Sequence, residues 1–172
     1  MSLSRLEHPE TVLERDWQST QQLTTEVQEV LNQKRLQKAQ EIHTENLETQ
    51  VFCDRAKTLQ VLINLVDNGL RYSPNLAQLR VRWFRDPNKK HRVFLDVEDS
   101  GPGIPHDQRD RIFEKFYRLD RSRTRDLGGT GLGLAIVKQI MKTHGGDCQL
   151  LISDLGGCLF RCEFPDPEYS TQ

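Results

Sequence analysis

Two asparagines one helical turn apart, Asn64 and Asn68, sit in a run whose apolar residues recur at helical spacing. On an ideal helix Leu59, Ile63, Val66 and Leu70 form one stripe, and the two amides fall together about 140° from its centre. Val61 and Leu65 flank the amides, so the sequence predicts a helix covered on one side by a sheet and on the other by something polar. Amide oxygens at this spacing suit a hard cation such as Mg2+, which takes few protein ligands and keeps water and phosphate oxygens. The same amides could instead bond neighbouring backbone. Asp67 and Arg71 share the spacing, either as a surface ion pair worth a few tenths of a kcal/mol or with Arg71 turned toward a phosphate.

A second chemical feature lies at the end of a predicted strand. Alternation over 93–99 puts Val93, Leu95, Val97 and Asp99 on one face, so a carboxylate arrives on the apolar side just as Ser100-Gly-Pro-Gly103 turns the chain. A carboxylate there needs a partner. Adenine offers an exocyclic amino donor where guanine offers an acceptor, so Asp99 could select adenine; alternatively it caps the turn through backbone amides.

The third feature is Gly128-Gly-Thr-Gly-Leu-Gly-Leu134, which leads into an apolar helical pattern. Such a backbone approaches an anion closely, and the helix start adds unpaired amides and a positive dipole end. No Lys-Ser/Thr follows at P-loop spacing, and no strand precedes a G-x-G-x-x-G pattern. The stretch before it carries Arg118, Arg121, Arg123 and Arg125 without aliphatic alternation. Such a segment reads as a solvated, mobile loop, or as a lid that orders around a triphosphate by pairing arginines with phosphate oxygens.

Elements must hold these groups together. A helix is predicted from about 19 to 40, where Leu23, Val27, Val30 and Leu31 recur at helical spacing, and another from Asp54, as N-cap, to about Arg71, ended by Ser73-Pro74. A third fits 130–143, closed by His144-Gly-Gly146. Strands are predicted within 40–48, 51–53, 77–85, 93–99, 147–153 and 157–164. Helices come early and strands cluster late, which implies an α+β sandwich with one helical layer on a mixed or antiparallel sheet. Residues 1–18 are expected to be a linker or the end of an upstream helix, 19–167 the domain, and 168–172 a tail. Cys53, Cys148, Cys158 and Cys162 show no CxxC spacing and read as small hydrophobes.

Composition narrows the field. The 172 residues balance 24 Lys plus Arg against 25 Asp plus Glu, which argues against a dedicated nucleic-acid binder. No apolar run approaches the roughly 18 residues a membrane span needs, so no membrane contact by this segment is expected.

Taken in order, Asn64-x-x-x-Asn68, Asp99-Ser-Gly-Pro-Gly-Ile104, Phe113-Glu-Lys-Phe116 and Gly128-Gly-Thr-Gly-Leu-Gly-Leu134 closely resemble the N, G1, F and G2 boxes of sensor histidine kinase catalytic domains, in the GHKL superfamily. Leu65-Val-Asp-Asn-Gly-Leu-Arg-Tyr-Ser-Pro74 and Phe116-Tyr-Arg-Leu-Asp120 sharpen the resemblance to the kinase branch. It covers about 20–165. It implies a two-layer sandwich of about five mostly antiparallel strands under about three helices, with a flexible ATP lid.

By the same resemblance Asn68 is the main Mg2+ ligand and Asn64 a second or water-mediated one. Arg71 contacts phosphate, Tyr72 packs beside adenine, and Asp99 accepts from its amino group, in a G1 turn that includes Gly101, Gly103 and Ile104. Phe113 and Phe116 anchor the lid. Arg118 and Arg121 meet the terminal phosphates, and Gly129, Thr130, Gly131, Leu132 and Gly133 form the loop around them. The implied cofactors are ATP and Mg2+. The implied activity is transfer of the γ-phosphoryl group to a histidine in two-component signalling.

None of the five histidines fits a phosphoacceptor pattern, so the acceptor belongs to a dimerisation and histidine phosphotransfer domain, of which Leu3-Ser-Arg-Leu6 is read as the end. A response regulator is the further partner, the isolated domain is expected to be a monomer, and its location cytoplasmic, including as part of a membrane-associated protein. Superfamily members that hydrolyse ATP alone carry Glu where Asn64 stands; an amide cannot act as general base, which predicts slow hydrolysis. Two other readings are an ATP-gated dimerisation clamp of the same superfamily, which Asn64 disfavours, and a non-catalytic nucleotide-sensing module.

Overall fold

A computed structural model describes residues 12–46, 48–89, 91–119 and 129–167. The chain runs β1 (Arg15–Ser19), α1 (Thr20–Gln37), β2 (Glu41–Glu45), β3 (Gln50–Asp54), α2 (Arg55–Tyr72), β4 (Gln78–Phe84), β5 (Arg92–Asp99), α3 (Gly133–Thr143), β6 (Asp147–Ile152) and β7 (Cys158–Pro165). Five strands form one sheet in the order β2-β4-β5-β7-β6, with β2 parallel to β4 and the other pairs antiparallel. Three helices pack on it, as the α+β sandwich reading expects.

Alternation along the central strands builds the core. Leu79, Val81 and Trp83 of β4, Val93, Leu95 and Val97 of β5, and Cys158, Phe160, Cys162 and Phe164 of β7 are buried against Leu23 and Val27 of α1, Leu62 and Leu65 of α2, and Val137 and Met141 of α3. Trp83 lies at the centre, its indole N–H donating to the Thr24 hydroxyl at 3.0 Å. All four cysteines are buried free thiols, in keeping with their reading as small hydrophobes.

The opposite sheet face is also covered. Asp96 and Glu98 are each 2% exposed, because Arg82 and Arg161 bond Asp96, and Arg80 bonds Glu98. The Phe84 and Phe94 rings stack beside them, 5.3 Å apart.

Three expectations change. Residues 15–18, expected as linker or upstream helix, belong to β1, which pairs antiparallel with β3 and places Trp17 on Phe52, ring centroids 5.5 Å apart. Residues 1–11, including Leu3-Ser-Arg-Leu6, lie outside the described residues, as does the expected tail, 168–172. The fully buried positions of α2 are Thr58, Val61, Leu62, Leu65, Val66, Gly69 and Leu70, while Leu59 and Ile63 are only partly buried. The apolar arc is thus turned toward the asparagine side, because α2 is flanked by both α1 and α3. Finally, α3 begins at Gly133 rather than Thr130, since Gly131 has φ +72° and breaks the helical path.

Candidate nucleotide-binding site

Helix α2 starts where the sequence says it should: the Asp54 side chain accepts from Lys57 N at 3.0 Å as its N-cap. At its other end Lys38 and Gln40, from the α1–β2 connection, take over its orphan carbonyls. Lys38 Nζ donates to the carbonyls of Leu70, Arg71 and Ser73 at 2.9, 2.8 and 3.1 Å. Gln40 Nε2, fully buried, donates to those of Leu70, Ser73 and Pro74. This fixes the turn of helix that carries Arg71 and Tyr72.

A cavity of about 460 Å3 opens beside this helix. Asn64, Asp67, Asn68, Arg71 and Tyr72 line it from α2, Asp99, Gly103 and Ile104 from the end of β5 and its turn, and Arg118, Gly129, Thr130, Gly131 and Gly133 from the lid flank and glycine turn. Gly101 and Leu132 are not in the wall but hold it: Gly101 N–H donates to Asp99 Oδ1 at 2.9 Å, and Leu132 N–H to the Thr130 hydroxyl at 3.3 Å. Arg121 lies outside the described residues.

Of the asparagine, ion-pair and aspartate alternatives, the internal bonds of Asn64, Asp67–Arg71 and Asp99 are formed, and each of these residues also lines the cavity. Asn64 Nδ2 donates to the Gly133 carbonyl at 3.3 Å, tying α2 to the start of α3. Arg71 Nη2 pairs with Asp67 Oδ2 at 2.7 Å while Lys34 of α1 takes Oδ1 at 2.5 Å, and Arg71 still faces the cavity. A Cβ placed on Gly129 would lie 2.9 Å from Arg71 Nη1, 3.4 Å from the Tyr72 hydroxyl and 3.9 Å from Arg118 Nη2, so these three groups crowd the glycine turn. Asp99 accepts from the N–H groups of Gly101 and Cys158, both on Oδ1, and still lines the cavity. Burial raises the Asp99 carboxyl above its usual range, against the opposing effect of those two bonds.

Sequence reasoning missed part of the apolar wall. Ile112, Tyr117, Leu119, Leu134, Cys158 and Phe160 also line the cavity. Burial, with the Asp99 charge nearby, pushes the Cys158 thiol up to about 12, so it serves as a neutral surface. Of the two aromatic lid anchors, Phe113 is partly buried with its ring edge-on to Phe160 at 6.3 Å. Phe116 is 71% exposed at φ 64°, and is corrected: Tyr117 takes the inward place, its hydroxyl donating to Gln108 Oε1 at 3.2 Å. Phe116 contributes backbone instead, its N–H donating to the Gly131 carbonyl at 2.9 Å. A Cβ on Gly131 would sit 2.9 Å from Phe116 Cα, so only glycine fits. The adjacency of Phe116 and Tyr117 was the only signal for this exchange.

The model of the histidine kinase-, DNA gyrase B- and HSP90-like ATPase family matches residues 53–168, which spans α2, the cavity and strands β4 to β7 of the sheet. The chain belongs to this family. It is 45% identical over 98 residues, 56% of the chain, to the sensor histidine kinase WalK of Bacillus subtilis (strain 168), of which it covers 16%. The catalytic domain of histidine kinase ThkA superposes with a TM-score of 0.76 at 27% identity, over 90% of this chain and 99% of that one. ThkA has also been solved in complex with the response regulator protein TrrA, with a TM-score of 0.73 at 28% identity over 92% of this chain and 44% of that one. Full-length ShkA in complex with AMPPNP gives 0.75 at 27% identity, over 90% of this chain and 31% of that one. The chain spans less than a third of the length of WalK.

Proposed function

We propose that this chain binds Mg2+-ATP in the cavity and presents the γ-phosphoryl group to a histidine on a separate dimerisation domain, as the catalytic part of a two-component sensor kinase. The observation that carries this reading is the convergence on one cavity of an acid for the base and cations for the phosphates. Asp99, Arg71, Arg118 and the glycine turn come from four separate stretches and line one cavity.

The purine ring is assigned to the apolar wall made by Ile104, Leu134 and Phe160. Its amino group is assigned to Asp99 Oδ2, because both backbone bonds fall on Oδ1. Arg71, Arg118 and the amides at the start of α3 face the phosphates.

The donor set fits a hard cation that retains water. Asn64 Nδ2 is anchored on Gly133, which leaves its oxygen for a ligand, and Asn68 stands one turn on. Among the described residues no group of three or more His, Cys, Asp and Glu could hold a metal ion, so the remaining ligands would be phosphate and water oxygens. Held by Asn68 and Asn64, Mg2+ would supply neutralisation of phosphate charge. The chain's own residues position and neutralise; none of them is assigned as a base.

ShkA was solved with AMPPNP, an ATP analogue, and ThkA with a response regulator, which supports nucleotide and regulator as partners. Among the described histidines, His144 is fixed structurally, its Nδ1 on the Ile140 carbonyl and its Nε2 accepting from Asp54 N–H. The test is to mix the chain with Mg2+, γ-labelled ATP and a separately supplied dimerisation domain. Label on that domain's histidine is expected; rapid phosphate release by the chain alone, with no transfer, would favour the clamp reading.

A further inference from the structure

Glu98 directly precedes Asp99 but points to the opposite face of the sheet, where it is 2% exposed. Four donors converge on its carboxylate. Oε2 accepts from Arg80 Nε at 2.8 Å and from Arg80 Nη2. Oε1 accepts from the Ser153 hydroxyl at 2.8 Å and from Asp154 N–H at 2.8 Å. Burial draws the carboxyl upward, but the bonds from Arg80 and Ser153 outweigh it and hold Glu98 below its usual range, so it is ionised at neutral pH.

Arg80 is the cross-strand neighbour of Glu98 and could belong to sheet stability alone. Ser153 and Asp154 could not, since they open the turn between β6 and β7. That turn ends against the adenine-side carboxylate. Gly157 N–H donates to the Asp99 carbonyl at 3.2 Å and Cys158 N–H to Asp99 Oδ1 at 3.3 Å. A Cβ on Gly157 would lie 2.2 Å from Asp99 Oδ1, so turn and carboxylate are in the closest possible backbone approach. One buried carboxylate therefore grips the start of the turn whose end orients Asp99.

We propose that Glu98 is a positioning residue for base selection: through Ser153 and Asp154 it clasps the β6–β7 turn onto the end of β5, and so holds Asp99 in the orientation that accepts from a 6-amino purine. This rests on the adenine reading of Asp99. With the clasp released, Cys158 N–H withdraws and the Asp99 carboxylate is free to rotate, which weakens its discrimination between an amino and an oxo group. Glu98→Gln releases it because an amide offers a single acceptor oxygen, so its NH2 must face donors from either Arg80 or the turn. Ser153→Ala removes the hydroxyl that donates to Glu98 Oε1 and to the Asp99 carbonyl and that accepts from Leu155 N–H, without placing a new polar group beside Glu98.

The test is calorimetric titration of the whole chain with Mg2+-ATP and Mg2+-GTP, with thermal unfolding recorded for each variant. Asp99→Asn is expected to abolish the preference for ATP. Glu98→Gln and Ser153→Ala are expected to reduce the ATP/GTP affinity ratio about tenfold, and Ser153→Thr, which keeps the hydroxyl, to retain it. Folded Glu98→Gln and Ser153→Ala chains with the wild-type ratio would overturn the clasp while leaving Asp99 as the reader of the base. An unchanged ratio in Asp99→Asn would overturn the adenine reading itself. If Glu98→Gln fails to fold, the Ser153 pair decides: equal ratios in Ala and Thr overturn the proposal.

Discussion

Asp99 carries two demands on one side chain. Its Oδ1 closes the turn by accepting from Gly101 and Cys158, and its exposed rim faces the cavity. Because burial raises its carboxyl above the ordinary range, the charged form that best accepts an amino proton is complete only well above that raised value. ATP affinity is therefore expected to fall on acidification at a higher pH than an unperturbed aspartate would give, and Asp99→Asn to remove that dependence along with at least about tenfold in affinity. Titration of ATP binding between neutral and acid pH checks both. Asn68→Ala is expected to abolish the Mg2+-dependent part of binding, read as the difference in ATP affinity with and without Mg2+. Phosphate release by the chain alone should be slow, since Asn64 offers no proton acceptor.

At the level of elements, the site depends on how α2 ends. Lys38 and Gln40 cap carbonyls from Leu70 to Pro74, and removing the ammonium takes the Lys38 bond from the Arg71 carbonyl and one of two donors from those of Leu70 and Ser73. Lys38→Met is expected to cost about 1–3 kcal/mol of stability and to weaken ATP binding through Arg71 and Tyr72, measured by urea unfolding and nucleotide titration. These partners were invisible in the sequence because their bonds run to backbone 30 to 35 residues away. Helices α1 and α2 and strands β4, β5 and β7 were legible, since each turns one apolar face into the core and therefore writes a 3.6- or 2-residue period into its side chains. Strand β1, Arg-Asp-Trp-Gln-Ser, writes none: its residues are exposed or half-buried, and only backbone pairing with β3 makes it a strand. The four boxes were legible because backbone approach and charge demand particular residue types there. The exchange of Phe116 for Tyr117 was not, since a positive φ at a non-glycine residue reverses which neighbour faces inward.

For the whole molecule, stability should depend on pH through the junction of α3, β3 and α2. His144 is buried with Nε2 accepting from Asp54 N–H, and burial lowers its pKa from the usual 6.5. The unfolded chain takes up a proton near that ordinary value while the folded chain resists, so stability is complete above about 6.5 and declines as pH falls toward the depressed folded value. Asp54 is also held low: burial opposes ionisation, but bonds from Lys57 and Glu14 N–H outweigh it, so its contribution is lost only as pH falls below 3.8 through its folded value. Urea unfolding from pH 7.5 to 5 should show the first decline, and His144→Gln should flatten it.

The two tryptophans divide this molecule into two optical reporters. Trp83, sealed in the core, will emit at the short wavelengths of an apolar setting until the whole fold gives way. Trp17, 39% exposed on β1, will respond to quenchers from the outset and will register detachment of that marginal strand alone. Emission spectra of the Trp17→Phe and Trp83→Phe chains can therefore time the loosening of the rim against the melting of the centre.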